Sequence, residues 1–361
     1  MTRKIPVLVT GVGGGGLGEQ ILKALRLSTL SYEIIGTDLS PTSKGFMEVD
    51  HPYVLPPASH SDFMSSVLTI CEKHQVQAIF AGSETELKIM SQRRGEILKK
   101  GIFLPINPEY VIHLCTDKSK IMQELKERGF SVPATFVVRS VSDLDRINIF
   151  PAVLKPSVGS GGSANVLIAQ TKNELLMLGT YLSSLYSEFI VQEYIGTVDS
   201  EFTVGVLISM DGELLNSIAL RRIILSGLSN RVRVSNRTDN KKFGPLLAIS
   251  SGISQGEIGA FPDITKPCEE IAMTLGCRSS VNLQCRYADG KVYVFEINPR
   301  FSGTTSLRAM MGYNEPDLLI RKHLLGEKIT PRFSYRTGYI LRGLHEQIVD
   351  PSSIPAARDL L

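Results

Sequence analysis

The 361-residue chain is 43% hydrophobic and 21% charged, the composition of a globular protein long enough for two or three domains. Its formal net charge of +3 is too small to argue for a nucleic-acid or membrane partner, and no apolar run reaches the ~18–20 residues that a bilayer span requires. The five cysteines are scattered without a C-x-x-C pair and the six histidines form no H-E-x-x-H motif, which argues against a disulfide framework or a zinc motif and fits reduced thiols in a cytoplasmic protein.

Residues 5–10 (IPVLVT) predict a short strand, and the apolar run breaks into glycines too soon for a signal peptide. Residues 11–18 carry a G-x-G-x-x-G pattern, 19–27 have helical spacing, and 32–37 predict a second strand ending at Asp38. A Rossmann dinucleotide site is one reading of this β–turn–α–β unit; tight turns and close helix–strand packing are the other. The alternation continues with a helix over 63–74, a strand over 78–80, and a helix opened by Ser83, Glu84 and Glu86. Those acids favour a helix dipole, and they also stand where a substrate amine or hydroxyl could reach them. A last strand is expected over 101–105, closing a first domain near residue 110.

One helix is expected over 111–128, with Asp117 and Lys118 near its start. Residues 151–155 then form an apolar strand ending in Lys155, followed by Gly159, Ser160, Gly161, Gly162 and Ser163. A lysine beside a flexible glycine loop suits nucleotide phosphates: the ammonium supplies a point charge, and the glycines let backbone N–H groups approach. A plain hairpin loop is the alternative. Strands are expected at 189–195, ending in Gln192, Glu193, Tyr194 and Ile195, and at 201–208, with residues 196–200 as a hinge.

Residues 281–305 hold the most unusual side chains. An Asp289-Gly290 turn joins two strands, and Glu296 and Asn298, two apart, project from one side of the chain. Gln284 falls across from them on the partner strand. Such oxygen donors suit Mg²⁺ bound together with phosphates, and Arg300 follows where a cation could face an anion.

Taken in order, these motifs resemble the ATP-grasp superfamily, and most closely one half-repeat of the carbamoyl-phosphate-synthase large chain, over roughly residues 5–330. The resemblance implies an α/β chain, α+β in its nucleotide part: a Rossmann-like pre-ATP-grasp domain (1–110) followed by a two-part ATP-grasp fold. The latter divides into a small lid (111–190) and a core (191–330), with a C-terminal extension (331–361) that looks unfinished. It further implies adenine at Gln192, Glu193, Tyr194 and Ile195, and ribose at Glu201. Lys118 and Lys155 would grip phosphates under the Gly159–Ser163 loop, metal would sit at Gln284, Glu296 and Asn298, and Arg300 would lie by the γ-phosphate. Catalytic duty would then fall to Lys155 and Arg300. Under this resemblance the first domain serves substrate rather than NAD, since a dehydrogenase would leave Lys155 and Glu296 to Arg300 unexplained.

The implied activity is an ADP-forming ligase that activates a carboxylate as an acylphosphate for attack by an amine. Its cofactors are ATP and Mg²⁺, in two ions, with Mn²⁺ as a substitute; its partners are a small carboxylic acid and an amine, with a homodimer left open. Carbamate or bicarbonate phosphorylation with a partner subunit, and an ATP-binding module without turnover, are the alternatives. Arg222, in a basic stretch, is favoured as a ligand for the substrate carboxylate, although an exposed solvated ribbon is an equal reading. Ser302, Gly303 and Thr304 could line the acyl pocket, and Arg308 beyond them ranks equally with Arg222 as a substrate ligand.

Overall fold

The computed structural model describes residues 4–158 and 164–344. The expected phosphate loop (Gly159, Ser160, Gly161, Gly162, Ser163) and residues 345–361 lie outside the described residues.

The N-terminal part keeps the expected alternation of strand and helix and adds a strand at 51–54 and a helix at 94–99 that the sequence reading did not include. Strands β1 (Ile5–Thr10), β2 (Tyr32–Asp38), β3 (His51–Val54) and β4 (Ala78–Phe80) form a parallel sheet in the order β3-β2-β1-β4. Helices α1 (Leu17–Arg26), α2 (Phe63–Lys73), α3 (Glu84–Gln92) and α4 (Arg94–Lys99) accompany it. Central strand β1 is apolar on both faces: Val7 and Val9 pack with Ile21, Leu22 and Leu25 of α1, and Leu8 packs with Val67 and Ile70 of α2. The glycines are needed where these layers converge. A Cβ on Gly18 or on Gly82 would run into the Thr10 carbonyl, so the start of α1 and the loop before α3 close on the end of β1 only without side chains.

Two expectations differ here. Residues 101–105 do not make a strand: Phe103 forms a single parallel bridge to Ala78, between Gly101 at φ +73° and a proline that cannot donate. The helix expected over 111–128 is two, α5 (Glu109–Thr116) and α6 (Lys118–Glu127). Asp117 is extended (φ −100°, ψ 102°), and its carboxylate accepts from the backbone of Ser119 and Lys120, capping α6.

Two antiparallel sheets follow. The smaller contains β5 (Thr135–Val138), β6 (Ala152–Pro156), β7 (Leu167–Ala169) and β8 (Phe189–Glu193) in the order β5-β8-β6-β7, covered by α7 (Lys172–Leu185). Strands β9 (Glu201–Ile208) and β10 (Leu214–Arg222) begin the larger one, and a separate hairpin of β11 (Asn230–Ser235) and β12 (Leu246–Ser250) interrupts it. It is completed by β13 (Gly256–Gly259), β14 (Ser279–Ala288), β15 (Lys291–Asn298) and β16 (Gly338–Ile340), in the order β15-β14-β9-β10-β13-β16. Helix α8 (Pro262–Thr274) packs on β9 and β14 through Ile264, Cys268 and Ile271. Helices α9 (Thr305–Met310) and α10 (Glu315–His323) share one apolar core with α1, β1 and β10, which joins the N-terminal sheet to the larger antiparallel one. Among the described residues no helix is long and apolar enough to cross a membrane.

Candidate nucleotide and metal site

A cleft opens between the two antiparallel sheets. It is lined by Lys118, Lys155, Gln192, Glu193, Tyr194, Ile195, Glu201, Gln284 and Glu296, all singled out from the sequence, and by further residues that were not.

The polar floor is built by the β14–β15 hairpin. Its register pairs Gln284 with Glu296 and Asn282 with Asn298, but Cys285 with Val294, leaving Phe295 without a partner residue. That bulge lets Glu296 and Asn298 share the face of Gln284 while Val294 and Ile297 stay in the core. The amide of Gln284 donates to Glu296 Oε2 at 2.9 Å. The bulged carbonyl of Phe295 accepts from Lys155 Nζ at 3.0 Å, and Gln192 Oε1 accepts from the same ammonium at 2.9 Å. Lys118, placed by the break at Asp117, brings Nζ to 3.9 Å from Glu296 Oε1, while its backbone N–H reaches the Ser157 carbonyl at 2.9 Å. Burial pushes the Lys155 ammonium down to about 7, and Lys118 adds to the shift against the opposing pull of Glu296. Two cations and one carboxylate thus converge on one end of the cleft. Glu296 and Asn298 offer the hard oxygen donors that Mg²⁺ takes, with Glu296 still partly open to solvent.

Arg300 does not line the cleft. Its guanidinium turns to the N-terminal part, meeting Glu84 Oε1 at 2.6 Å and Asn298 Oδ1 at 3.0 Å. The charge of Arg300 is the main reason that the Glu84 carboxyl lies below its usual range. Glu86 instead accepts from Thr10 Oγ1 at 2.9 Å, and burial raises its carboxyl. Asp38 accepts from the Gly13 N–H at 2.8 Å, so this acid closes its own glycine turn.

The expected substrate residues Arg222, Ser302, Gly303, Thr304 and Arg308 are not among those lining the cleft. Arg222 is 4% exposed and bonded to Glu201 Oε1 (3.2 Å), Ser250 Oγ (2.9 Å) and the Ser251 carbonyl (2.7 Å). Neither an open carboxylate ligand nor a solvated ribbon describes it. Glu201, expected at the ribose, is clasped from its other side by Arg286 at 3.1 Å. Burial by itself would raise the Glu201 carboxyl, but the two guanidiniums outweigh it and hold it below the usual range. Arg308 is 1% exposed, bonded to Glu315 Oε1 (3.1 Å) and Asn282 Oδ1 (2.6 Å). Gly205 makes room for it, since a Cβ there would strike the guanidinium. Ser302 and Thr304 are buried and bond each other at 2.9 Å, leaving Gly303 as the partly exposed member of that loop.

The sequence reading missed Arg286, which donates to the Ile195 carbonyl at 2.9 Å and stacks over the Tyr194 ring at 4.3 Å. The signal was present in the alternation Asn282, Gln284, Arg286. Val153 likewise lies two residues before Lys155. Pro133, Val166 and Ile249 supply apolar walls from distant segments and left no local signal.

Three segments of the chain match known protein families. Residues 7–105 match the PylC-like N-terminal domain, 115–222 the RimK-like ATP-grasp domain, and 250–342 an ATP-grasp model from a biosynthetic pathway with the Ter operon. The chain is an ATP-grasp protein. Its fold is the mixed α/β one in which a PylC-like domain precedes the ATP-grasp part. The carbamoyl phosphate synthase large chain of Methanocorpusculum labreanum is 21% identical over 299 residues, covering 80% of this chain and 26% of that one. This ATP-grasp chain thus spans about a quarter of the length of the relatives it matches. Among solved structures, L-amino acid ligase from Bacillus licheniformis superposes with a TM-score of 0.63 at 17% identity, covering 92% of this chain and 78% of that one. The biotin carboxylase domain of Hydrogenobacter thermophilus 2-oxoglutarate carboxylase, in complex with MgADP and bicarbonate, gives 0.62 at 16% identity, covering 92% and 72%.

Proposed function

We propose that this ATP-grasp chain is an ADP-forming ligase that activates a small carboxylic acid with Mg·ATP and passes the acyl group to an amine. The observation that carries the reading is the convergence of Lys118, Lys155, Gln284 and Glu296 in a cleft whose lining also includes the apolar Val153, Val166 and Ile249. Adenine fits between Val153, Val166, Ile249 and the segment from Gln192 to Ile195, which leaves the triphosphate pointing at the two lysines. Mg²⁺ held by Glu296 and Asn298 would supply charge neutralisation at the phosphates. Phosphoryl transfer then asks little of the protein beyond position and charge: a substrate carboxylate oxygen attacks the γ-phosphorus, ADP leaves, and the amine displaces phosphate from the acylphosphate. Arg300, aligned by Glu84, would meet the acid at the junction with the N-terminal sheet.

The likeness to L-amino acid ligase favours an amino acid or other small acid as substrate, and the likeness to carbamoyl phosphate synthase makes bicarbonate a required member of any screen. The test is a panel of acids and amines with Mg·ATP, scored by ADP and phosphate. With the active acid labelled with ¹⁸O in its carboxylate, one label should appear in the released phosphate. ADP release without label transfer would overturn the acylphosphate step, and no release across the panel would overturn the ligase reading.

A further inference from the structure

Two histidines far apart in sequence come together in the fold. His51, the first residue of edge strand β3, and His74, at the C-terminus of α2, meet with ring centroids 4.4 Å apart. Glu33 on the neighbouring strand β2 brings Oε1 to 2.8 Å from His51 Nε2. One ligand atom from each of the three lies within 4.8 Å of the others. Tyr53, two residues beyond His51, engages His74 Nε2 through its hydroxyl at 2.8 Å, leaving Nδ1 as the nitrogen that Tyr53 does not hold. A hydrogen-bonded partner on the far ring nitrogen is the outer support that fixes a metal-ligating imidazole. The side chains of His51 and Glu33 are 40% and 33% exposed, open enough for an ion to enter.

We propose that Glu33, His51 and His74 form a binding site for a borderline divalent transition-metal ion, with Zn²⁺ as the expected occupant. Two imidazoles and one carboxylate are a three-ligand zinc set that keeps a position for water, and they do not suit Mg²⁺, which takes oxygen donors. The site joins β2, β3 and α2 on the sheet edge, and it uses none of the residues of the nucleotide cleft. An ion there would tie the end of α2 to the two outer strands.

The test is a titration of the full chain, untagged and stripped with chelator, with Co²⁺ as a spectroscopic stand-in for Zn²⁺. Wild type and Glu296→Gln should each develop a visible d–d band that saturates at one equivalent and is erased by Zn²⁺. His51→Gln and His74→Gln should each weaken the ion by about tenfold or more. Should either variant melt early in the absence of metal, Glu33→Gln removes the third ligand instead. No band at equimolar Co²⁺, or a band that survives both histidine substitutions, would overturn the proposal. A band lost only in Glu296→Gln would place the ion in the cleft and overturn it as well.

Discussion

Arg300 and Glu84 lie 216 residues apart and meet at 2.6 Å, the guanidinium leaving the end of β15 to reach the first residue of α3. This ion pair ties the β14–β15 hairpin to the N-terminal part, and a second bond from Arg300 to Asn298 fixes the same guanidinium beside an expected metal ligand. An N-terminal residue thus reaches the hairpin from outside the cleft lining.

Glu84→Gln removes the charge that aligns Arg300. Because Glu84 is 41% exposed on its side chain, the stability loss should stay within about 1 kcal/mol. Turnover should fall by about tenfold or more while the nucleotide dissociation constant is unchanged. Steady-state kinetics and nucleotide calorimetry on the same preparation check both halves; unchanged turnover would make the pair structural only.

Lys155 predicts a pH signature. Burial holds its ammonium near 7 in the free chain, so at pH 8 only about one molecule in ten carries that charge. Phosphate oxygens favour the charged form and raise the value, so binding takes up a proton above pH 7 and apparent affinity falls as pH rises. Calorimetry at pH 8 in two buffers of different ionisation enthalpy should report close to one proton taken up on binding ATP, and Lys155→Met should abolish the uptake. Equal apparent enthalpies in both buffers for wild type would contradict it.

Glu201 stands between Arg222 and Arg286, all three buried. Glu201→Gln leaves two guanidiniums without a counter-charge and should cost about 3–5 kcal/mol, read by denaturant unfolding. The carboxyl is held below its usual range, so the stability it contributes is present above that range and lost as pH falls through the folded value. Wild type should thus weaken on acidification where the variant does not.

Much of the site was legible because it is local. The Asp-Gly turn sets the hairpin register as far as Cys285 and Val294, and the bulge at Phe295 then brings Gln284 across from Glu296. The capping preference of Asp117 was equally local, but a helical period running through it hid the break that aims Lys118. Arg222 and Arg308 were misread for a different reason. A basic side chain in a strand or helix looks available until its acid is known, and Glu201 and Glu315 become their partners only through strand pairing and helix packing. The fold's outer layers were visible as periodicity, whereas the apolar walls at Pro133, Val166 and Ile249 are assembled from segments that share no pattern.

The proposed activity requires Glu296 to hold Mg²⁺ on the phosphates of ATP in the cleft between the two antiparallel sheets. The most direct measurement is the Mg²⁺ dependence of ATP affinity in wild type and Glu296→Gln, which needs no knowledge of the acid or amine. Wild type should bind ATP more tightly as Mg²⁺ is added, and Glu296→Gln, with an unchanged melting temperature, should bind ATP with that Mg²⁺ enhancement lost. An enhancement equal in the two proteins, or no ATP binding by wild type, would contradict the account.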